Sequence, residues 1–115
     1  MDYIHYELIE GQPGSLSGEL KSMKKMEYLF DGDKYVQCIT TTEVKDGDVE
    51  TESHCICDKG ITAEDLIRHI EQLIDVQELD GQVANIIMDF RYVSGLTKDE
   101  LWEEAPGLMS EFSQC

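Results

Sequence analysis

The sequence predicts a single α+β domain over residues 1–115, in which an antiparallel sheet of about four to five strands carries two main helices on one face. Three observations predict this fold class. The chain has the length of one ordinary domain. Its first half consists of β-rich segments separated by glycine-containing turns. Its second half carries two segments with helical spacing and helix-start signals on either side of an apolar run. The predicted order is β-β-β-β-α-β-α.

The first predicted element is a strand in YIHYELIE, residues 3–10. Ile4, Tyr6 and Leu8 fall on one face and alternate with more polar positions, which is the period of two expected for a strand. The glycine-containing segment that follows predicts a loop. Within LSGELKSMKKM, residues 16–26, the apolar positions have the spacing of a short helix, which a glycine weakens.

Three further strands are predicted in MEYLF (26–30), KYVQCITTTEVK (34–45) and VETESHCIC (49–57). The tripeptide Asp-Gly-Asp separates them twice, at 31–33 and 46–48. Asp-Gly favours a tight hairpin turn because glycine accepts positive φ. A calcium loop is not expected, since the further ligands of a 12-residue loop and its flanking helices are missing.

The two hairpins determine which residues share a face. A two-residue turn at 46–47 places Cys38 opposite Cys55 on one face and Glu43 opposite Glu50 on the other. For the first hairpin we expect a three-residue loop instead. Such a loop puts Met26, Tyr28 and Phe30 on the same face as Val36 and Cys38, and this face is predicted to be the inner one. 

Both predicted helices begin with the same capping signal. Thr62 and Asp65 precede an apolar stripe, and Thr97 and Glu100 stand in the same relation at the second helix. A threonine that accepts from a free amide, with an acid three residues later, forms a capping box. The first helix is expected to end near residue 80, and Pro106 should end the second.

The run between the helices, VANIIMDFRYV at 83–93, is apolar at positions of both parities. A strand that is apolar on both sides is usually covered on both sides, so this run predicts a central strand. The segment after Pro106 contains Leu108, Met109 and Phe112, which are candidates to dock against the domain.

The predicted register places Cys38, Cys55 and Cys57 side by side on the inner face. We expect them to pack there as reduced, small apolar side chains, because no signal peptide is evident and the cytoplasm is the expected compartment. Two alternatives stay open: a zinc site completed by Cys115, and a Cys38–Cys55 disulfide under oxidation.

Charge is the strongest compositional feature of the chain. It has 25 Asp and Glu against 9 Lys and Arg, which gives a formal net charge of −16. Nucleic-acid phosphates and anionic membranes repel such a protein, so neither is an expected partner, whereas basic protein surfaces attract it. No apolar run reaches the roughly 18 residues that would span a bilayer.

The outer side of the second hairpin is the candidate binding site. It carries Glu43, Asp48, Glu50 and Glu52, and we call this set the acidic hairpin face. Like charges directly opposed across strands destabilise a sheet slightly, so their presence favours a functional role for these carboxylates. The second helix is expected to add four more acids: Asp99, Glu100, Glu103 and Glu104.

Sequence features of catalysis are weak. Phosphate loops, nucleophile elbows and His-Glu-x-x-His are missing, and strand alternation turns His54 away from Cys55. We therefore expect no cofactor and no enzyme, but an inhibitor or immunity-type protein that docks its acids on a basic partner such as a nuclease. The alternatives are a metal-binding or cysteine-dependent enzyme built on Cys38, Cys55 and Cys57, and a structural module that self-associates as a homodimer through an edge strand.

Overall fold

The computed structural model describes residues 1–10, 22–45, 47–79 and 85–115. Within these ranges the chain forms five strands and three helices, in the order that the sequence predicts with one helix added at the C terminus. The elements are β1 (Asp2–Glu10), β2 (Ser22–Asp31), β3 (Lys34–Lys45), β4 (Asp48–Lys59), α1 (Ala63–Leu79), β5 (Asn85–Val93), α2 (Lys98–Glu104) and α3 (Pro106–Gln114).

The strands form one antiparallel sheet in the order β4-β3-β2-β1-β5, so the predicted α+β class is confirmed. The prediction that β5 is central is wrong, because β5 is an edge strand that pairs with β1. Its apolar residues serve two environments: Ile87 is buried beneath α1, whereas Ile86 and Met88 remain about two-fifths exposed at 40% and 44%.

The helices lie on opposite faces of the sheet, which corrects the expectation that they share one face. Successive strand residues point to opposite faces. Ile4 and Tyr28 pack in a core cluster with Ile70 of α1, whereas their neighbours Tyr3 and Leu29 pack in a second cluster with α2 and α3. This part of the chain contributes four buried residues to the second cluster: Leu101 of α2, Ala105 between the helices, and Leu108 and Met109 of α3.

The first hairpin has a two-residue connection, so the predicted three-residue loop is wrong. Asp31 pairs with Lys34, and Gly32 between them has φ +66°, which glycine adopts without strain. This register shifts Val36 to the face opposite Tyr28 and Phe30. Val36 lies opposite Leu29, and both are fully buried, which gives the second face its own apolar core.

The second hairpin has the predicted register. Lys45 pairs with Asp48, and the pairing continues through Cys38 opposite Cys55. Gly47 has φ +85° between the paired ends. The predicted short helix falls partly outside the described residues, and its last part, from residue 22, belongs to β2.

Both capping boxes are confirmed. The amides of Asp65 and Glu100 donate to the hydroxyls of Thr62 and Thr97, and the acid side chains accept from the threonines in return. Pro106 ends α2 as predicted and begins α3. Across the described ranges, none of the helices has the length and apolar character that crossing a bilayer requires.

Candidate functional site

The acidic hairpin face is assembled by the β3–β4 register. Glu43 lies directly opposite Glu50, and Glu52 lies opposite Thr41 two pairs further along. Asp48 begins β4 opposite Lys45, at the same end of the hairpin. Asp48, Glu50 and Glu52 alternate along β4 and Glu43 lies opposite Glu50, so these four side chains leave the sheet on one face. The structure thus brings the four predicted hairpin carboxylates together.

The acidic hairpin face lies beyond the reach of α1. This helix packs over β1, β2 and β5, where its Leu66 and Ile70 join Ile4, Tyr28 and Ile87 in a core cluster. No residue of β4 belongs to either described core cluster. The side chains of Asp48, Glu50 and Glu52 are accordingly exposed, and Glu43 is partly buried.

The charge of this face comes mainly from carboxylates that follow one strand. The ends of β4 carry Asp48 and Asp58, its middle carries Glu50 and Glu52, and Lys59 is its only cationic residue. Opposed like charges such as Glu43 and Glu50 cost about 0.2–1 kcal/mol in a sheet.

The four acids of α2 do not extend this face. Helices α2 and α3 cover the opposite side of the sheet, where Glu104 lines a groove with Thr40 and Ser53. The Glu100 carboxylate accepts from Thr97 in the capping box, and Glu104 lies 3.6 Å from the Arg91 guanidinium. Asp99 and Glu103 are exposed at the helix surface. The predicted site residues thus fall into two separate groups.

The cysteines correct the expectation of reduced thiols. Cys38 is bonded to Cys55, with 4.1 Å between their Cα atoms, and Cys57 is bonded to Cys115, with 6.1 Å. All four cysteines of the chain are therefore used in disulfides. Zinc ligation and nucleophilic catalysis both require a thiolate, which a disulfide sulfur does not supply.

The hairpin register opposes Cys38 and Cys55, so the sequence allows their disulfide as an alternative, and the structure contains it. The second was missed. Cys57 and Cys115 are 58 residues apart in sequence, and they meet because α3 folds back across the sheet and brings its C terminus to β4. A signal for this pairing was the even number of cysteines.

A second polar cluster at the other edge of the sheet was also missed. The β1–β5 register shifts between His5 and Glu7, and Asp89 in this bulge has φ +51°. A hydrogen bond between the Glu7 and Asp89 carboxyl groups raises the pKa of Glu7, and burial of the carboxyl raises it further. The imidazole of His5 lies 3.9 Å from Glu7. A bulge carries no clear signal in a single sequence.

The described residues thus present an exposed row of carboxylates on a paired hairpin. Among the residues that the structure describes, no three His, Cys, Asp or Glu side chains are arranged to hold a metal ion. The acidic hairpin face is open, stands on two long paired strands and is braced by a disulfide on its reverse side. No family model, no curated protein and no solved structure matches the chain.

Proposed function

We propose that this protein works by binding, and that its acidic hairpin face docks on a basic surface of another protein. The observation that carries the proposal is the alignment of Glu43, Glu50 and Glu52 on one side of a hairpin that α1 leaves uncovered. The net charge of −16 supports it, because complementary charge speeds encounter and suppresses wrong partners.

The proposed partner class is a protein with a cationic groove, such as a nuclease or another nucleic-acid-binding enzyme. Its groove is built to hold a row of phosphates, and carboxylates at fixed spacing along a strand present a comparable row of negative charge. A protein that occupies this groove excludes the nucleic acid and acts as an inhibitor or immunity protein. The role requires no cofactor and no chemistry at the acids themselves.

A triple charge reversal, Glu43→Lys, Glu50→Lys and Glu52→Lys, tests the proposal. We expect wild-type protein to capture basic proteins from a host lysate at about 0.05 M salt, to lose most of them at about 0.5 M, and the reversed variant to lose them at both. The matched control reverses three exposed α1 acids, Glu71, Asp75 and Glu78, which changes net charge equally and should preserve capture. Capture that survives hairpin reversal and high salt contradicts the proposal.

The α2 acids need a separate variant because they lie on the other side of the sheet. Reversing Asp99 and Glu103 leaves the capping box and the Glu104–Arg91 pair intact. We expect little effect on capture, since the proposal rests on the hairpin carboxylates. A loss equal to that of the hairpin reversal would move the docking surface to α2.

A cytoplasmic location, expected from the sequence, stays a prediction. The two disulfides weigh against it, because structural disulfides form and persist mainly in oxidising compartments. Thiol labelling of the protein in freshly lysed host cells measures this directly. Four blocked cysteines favour an oxidising compartment, and four reactive ones favour the cytoplasm.

A further inference from the structure

Strand β4 has an outer edge to which no described strand is paired. It stands at one end of the sheet order and runs for 12 residues, longer than most edge strands. Of these residues, only Cys55 is partly buried and the others are exposed. A long edge of this kind presents backbone amides and carbonyls that a further strand can use.

The register identifies which backbone groups point outward. The Cα atoms of Cys38 and Cys55 are 4.1 Å apart, which is the close spacing of a non-hydrogen-bonded antiparallel pair. Residues in such pairs direct their amide and carbonyl away from the neighbouring strand. Because the pattern alternates along β4, the outward groups belong to Val49, Thr51, Ser53, Cys55 and Cys57.

The side chains beside this edge differ between the two faces. On one face, Glu50 and Glu52 present carboxylates. On the other, Val49 and Thr51 present neutral, β-branched side chains, and the side chain of Val49 is 65% exposed. A strand added here would place its alternate residues beside these two sets, since cross-strand neighbours interact on each face separately.

We propose that the acidic hairpin face receives its partner as an added β-strand, an extended segment that alternates Lys or Arg with Val or Thr and pairs with the outer edge of β4. The basic residues lie beside Glu50 and Glu52, and the β-branched residues lie beside Val49 and Thr51. Main-chain hydrogen bonds give affinity and the alternation gives selectivity, as in other cases of strand addition. This inference rests on the proposed function.

Charge selects this occupant over a second copy of the chain. Two copies that met at β4 would bring together two molecules of net charge −16, each with its carboxylates at the contact. A basic strand instead neutralises Glu50 and Glu52 while it satisfies the outward amides and carbonyls. A helical partner would neutralise the charge but would leave those backbone groups solvated.

Three synthetic probes with capped ends separate strand addition from simple charge attraction. The first is Lys-Val-Lys-Val-Lys-Val-Lys, the second is Lys-Lys-Lys-Lys-Val-Val-Val, and the third is the first with every backbone amide methylated. They carry the same charge and the same set of side chains. Binding is measured by fluorescence anisotropy at fixed salt. We expect the alternating probe to bind at least about tenfold more tightly than the other two, a difference of about 1.4 kcal/mol.

A proline variant examines the same edge from the protein side. The Thr51 amide points outward, so Thr51→Pro removes a donor to the probe and no donor within the sheet. Thr51→Ala is the matched control, which loses the same hydroxyl and keeps the amide. We expect Thr51→Pro to lower the affinity for the alternating probe to that of the block probe, and Thr51→Ala to leave it within about twofold.

The outcomes distinguish this inference from the proposed function. Equal affinity for the alternating, block and methylated probes overturns strand addition. If the three probes bind equally and all lose affinity for the variant with Glu43, Glu50 and Glu52 reversed, charge-driven docking is supported without strand addition. If the reversal has no effect on any probe, both are overturned. A dimer seen by sedimentation that dissociates in Thr51→Pro would assign the edge to a second copy and overturn the proposed occupant.

Discussion

The Cys57–Cys115 disulfide should stabilise the fold more than the Cys38–Cys55 disulfide. In the chain-entropy account, a disulfide stabilises by restricting the unfolded chain, and the effect grows with the length of the closed loop. The separations are 58 and 17 residues. They correspond to about 4 kcal/mol for Cys57–Cys115 and about 3 kcal/mol for Cys38–Cys55 at 25 °C.

The two loops do not overlap in sequence, so each disulfide restricts a different part of the unfolded chain. Their contributions should therefore add to about 7 kcal/mol, which is as large as the total free energy of unfolding of many ordinary domains. Reduction of both disulfides is expected to leave this protein close to its unfolding threshold at 25 °C. Reduction of either disulfide alone should leave it folded.

Urea unfolding, monitored by circular dichroism, can measure the stabilisation by each disulfide bond separately from the packing of the cysteine side chains. In the variant Cys38→Ala, Cys55→Ala, the difference between oxidised and reduced protein reports Cys57–Cys115 alone. The converse variant, Cys57→Ala, Cys115→Ala, reports Cys38–Cys55. With an m-value of about 2 kcal/mol per molar urea, the midpoint shifts on reduction should be about 2 M and about 1.5 M.

The comparison within each variant matters because Cys38 packs against the second core cluster, so replacing it costs burial as well as a bond. Reduction changes only the bond. The reasoning is refuted if reduction leaves either midpoint unchanged, or if the Cys38–Cys55 bond gives the clearly larger shift.

Three further predictions follow from the caps, the second core and the bulge. Thr62→Ala should cost about 1 kcal/mol in urea unfolding at neutral pH. Hydrogen bonds from Thr62 lower the pKa of Asp65, so the stability that the Asp65 carboxylate contributes to this cap is present at neutral pH and should be lost in acid. An equal cost of Asp65→Asn at neutral and at acidic pH would contradict this. Leu101→Ala, at a fully buried position, should lower the free energy of unfolding by about 2–5 kcal/mol. Trp102→Ala, at the neighbouring position that is 46% exposed, should lower it by less than about 1 kcal/mol, and similar losses for the two variants would contradict the packing of α2. The raised pKa of Glu7 means that the folded state loses stability as pH rises through that pKa. Glu7→Gln should therefore gain stability relative to wild type between about pH 3 and pH 7. A difference in the free energy of unfolding between the two proteins that does not change with pH would contradict this.

Features encoded by neighbouring residues were predictable from the sequence. The Thr62 and Thr97 capping boxes involve residues only three apart, so their partners were already on the same turn. The β3–β4 register followed from one tight turn and the parity of the residues on either side. The position of the acidic hairpin face depended on that register alone, which is why its four carboxylates could be placed together.

Features that depend on distant parts of the chain were not predictable in the same way. Sequence parity divides β2 into two faces, but it does not show that both faces are covered. In the structure both are, because Tyr28 packs in the first core cluster and Leu29 in the second. If one face is assumed to be solvated, Val36 and Cys38 fall on the side of Tyr28, which requires one extra residue in the first turn. The same assumption placed α2 on the side of α1.

The β5 run illustrates a related limit. Its continuous apolar pattern predicted burial on both sides, and its position at the edge depends on which strand β1 pairs with. The bulge at Asp89 also changes the parity within β5, so Phe90 and Ile87 both reach the core under α1 despite their odd separation. Parity counted on the sequence assigns these two residues to opposite faces.

The cysteines and the acids of the second hairpin have complementary roles on one strand. Strand β4 contributes no residue to either described core cluster, so burial alone holds it weakly. Cys55 ties it to β3, and Cys57 ties it to the end of α3, both from the face opposite Glu50 and Glu52. Covalent ties on one face thus hold the strand in place while Glu50 and Glu52 on the other face stay exposed. A strand that is already ordered loses less conformational entropy when it binds, so the disulfides that stabilise the fold should also strengthen the docking that we propose at the acidic hairpin face.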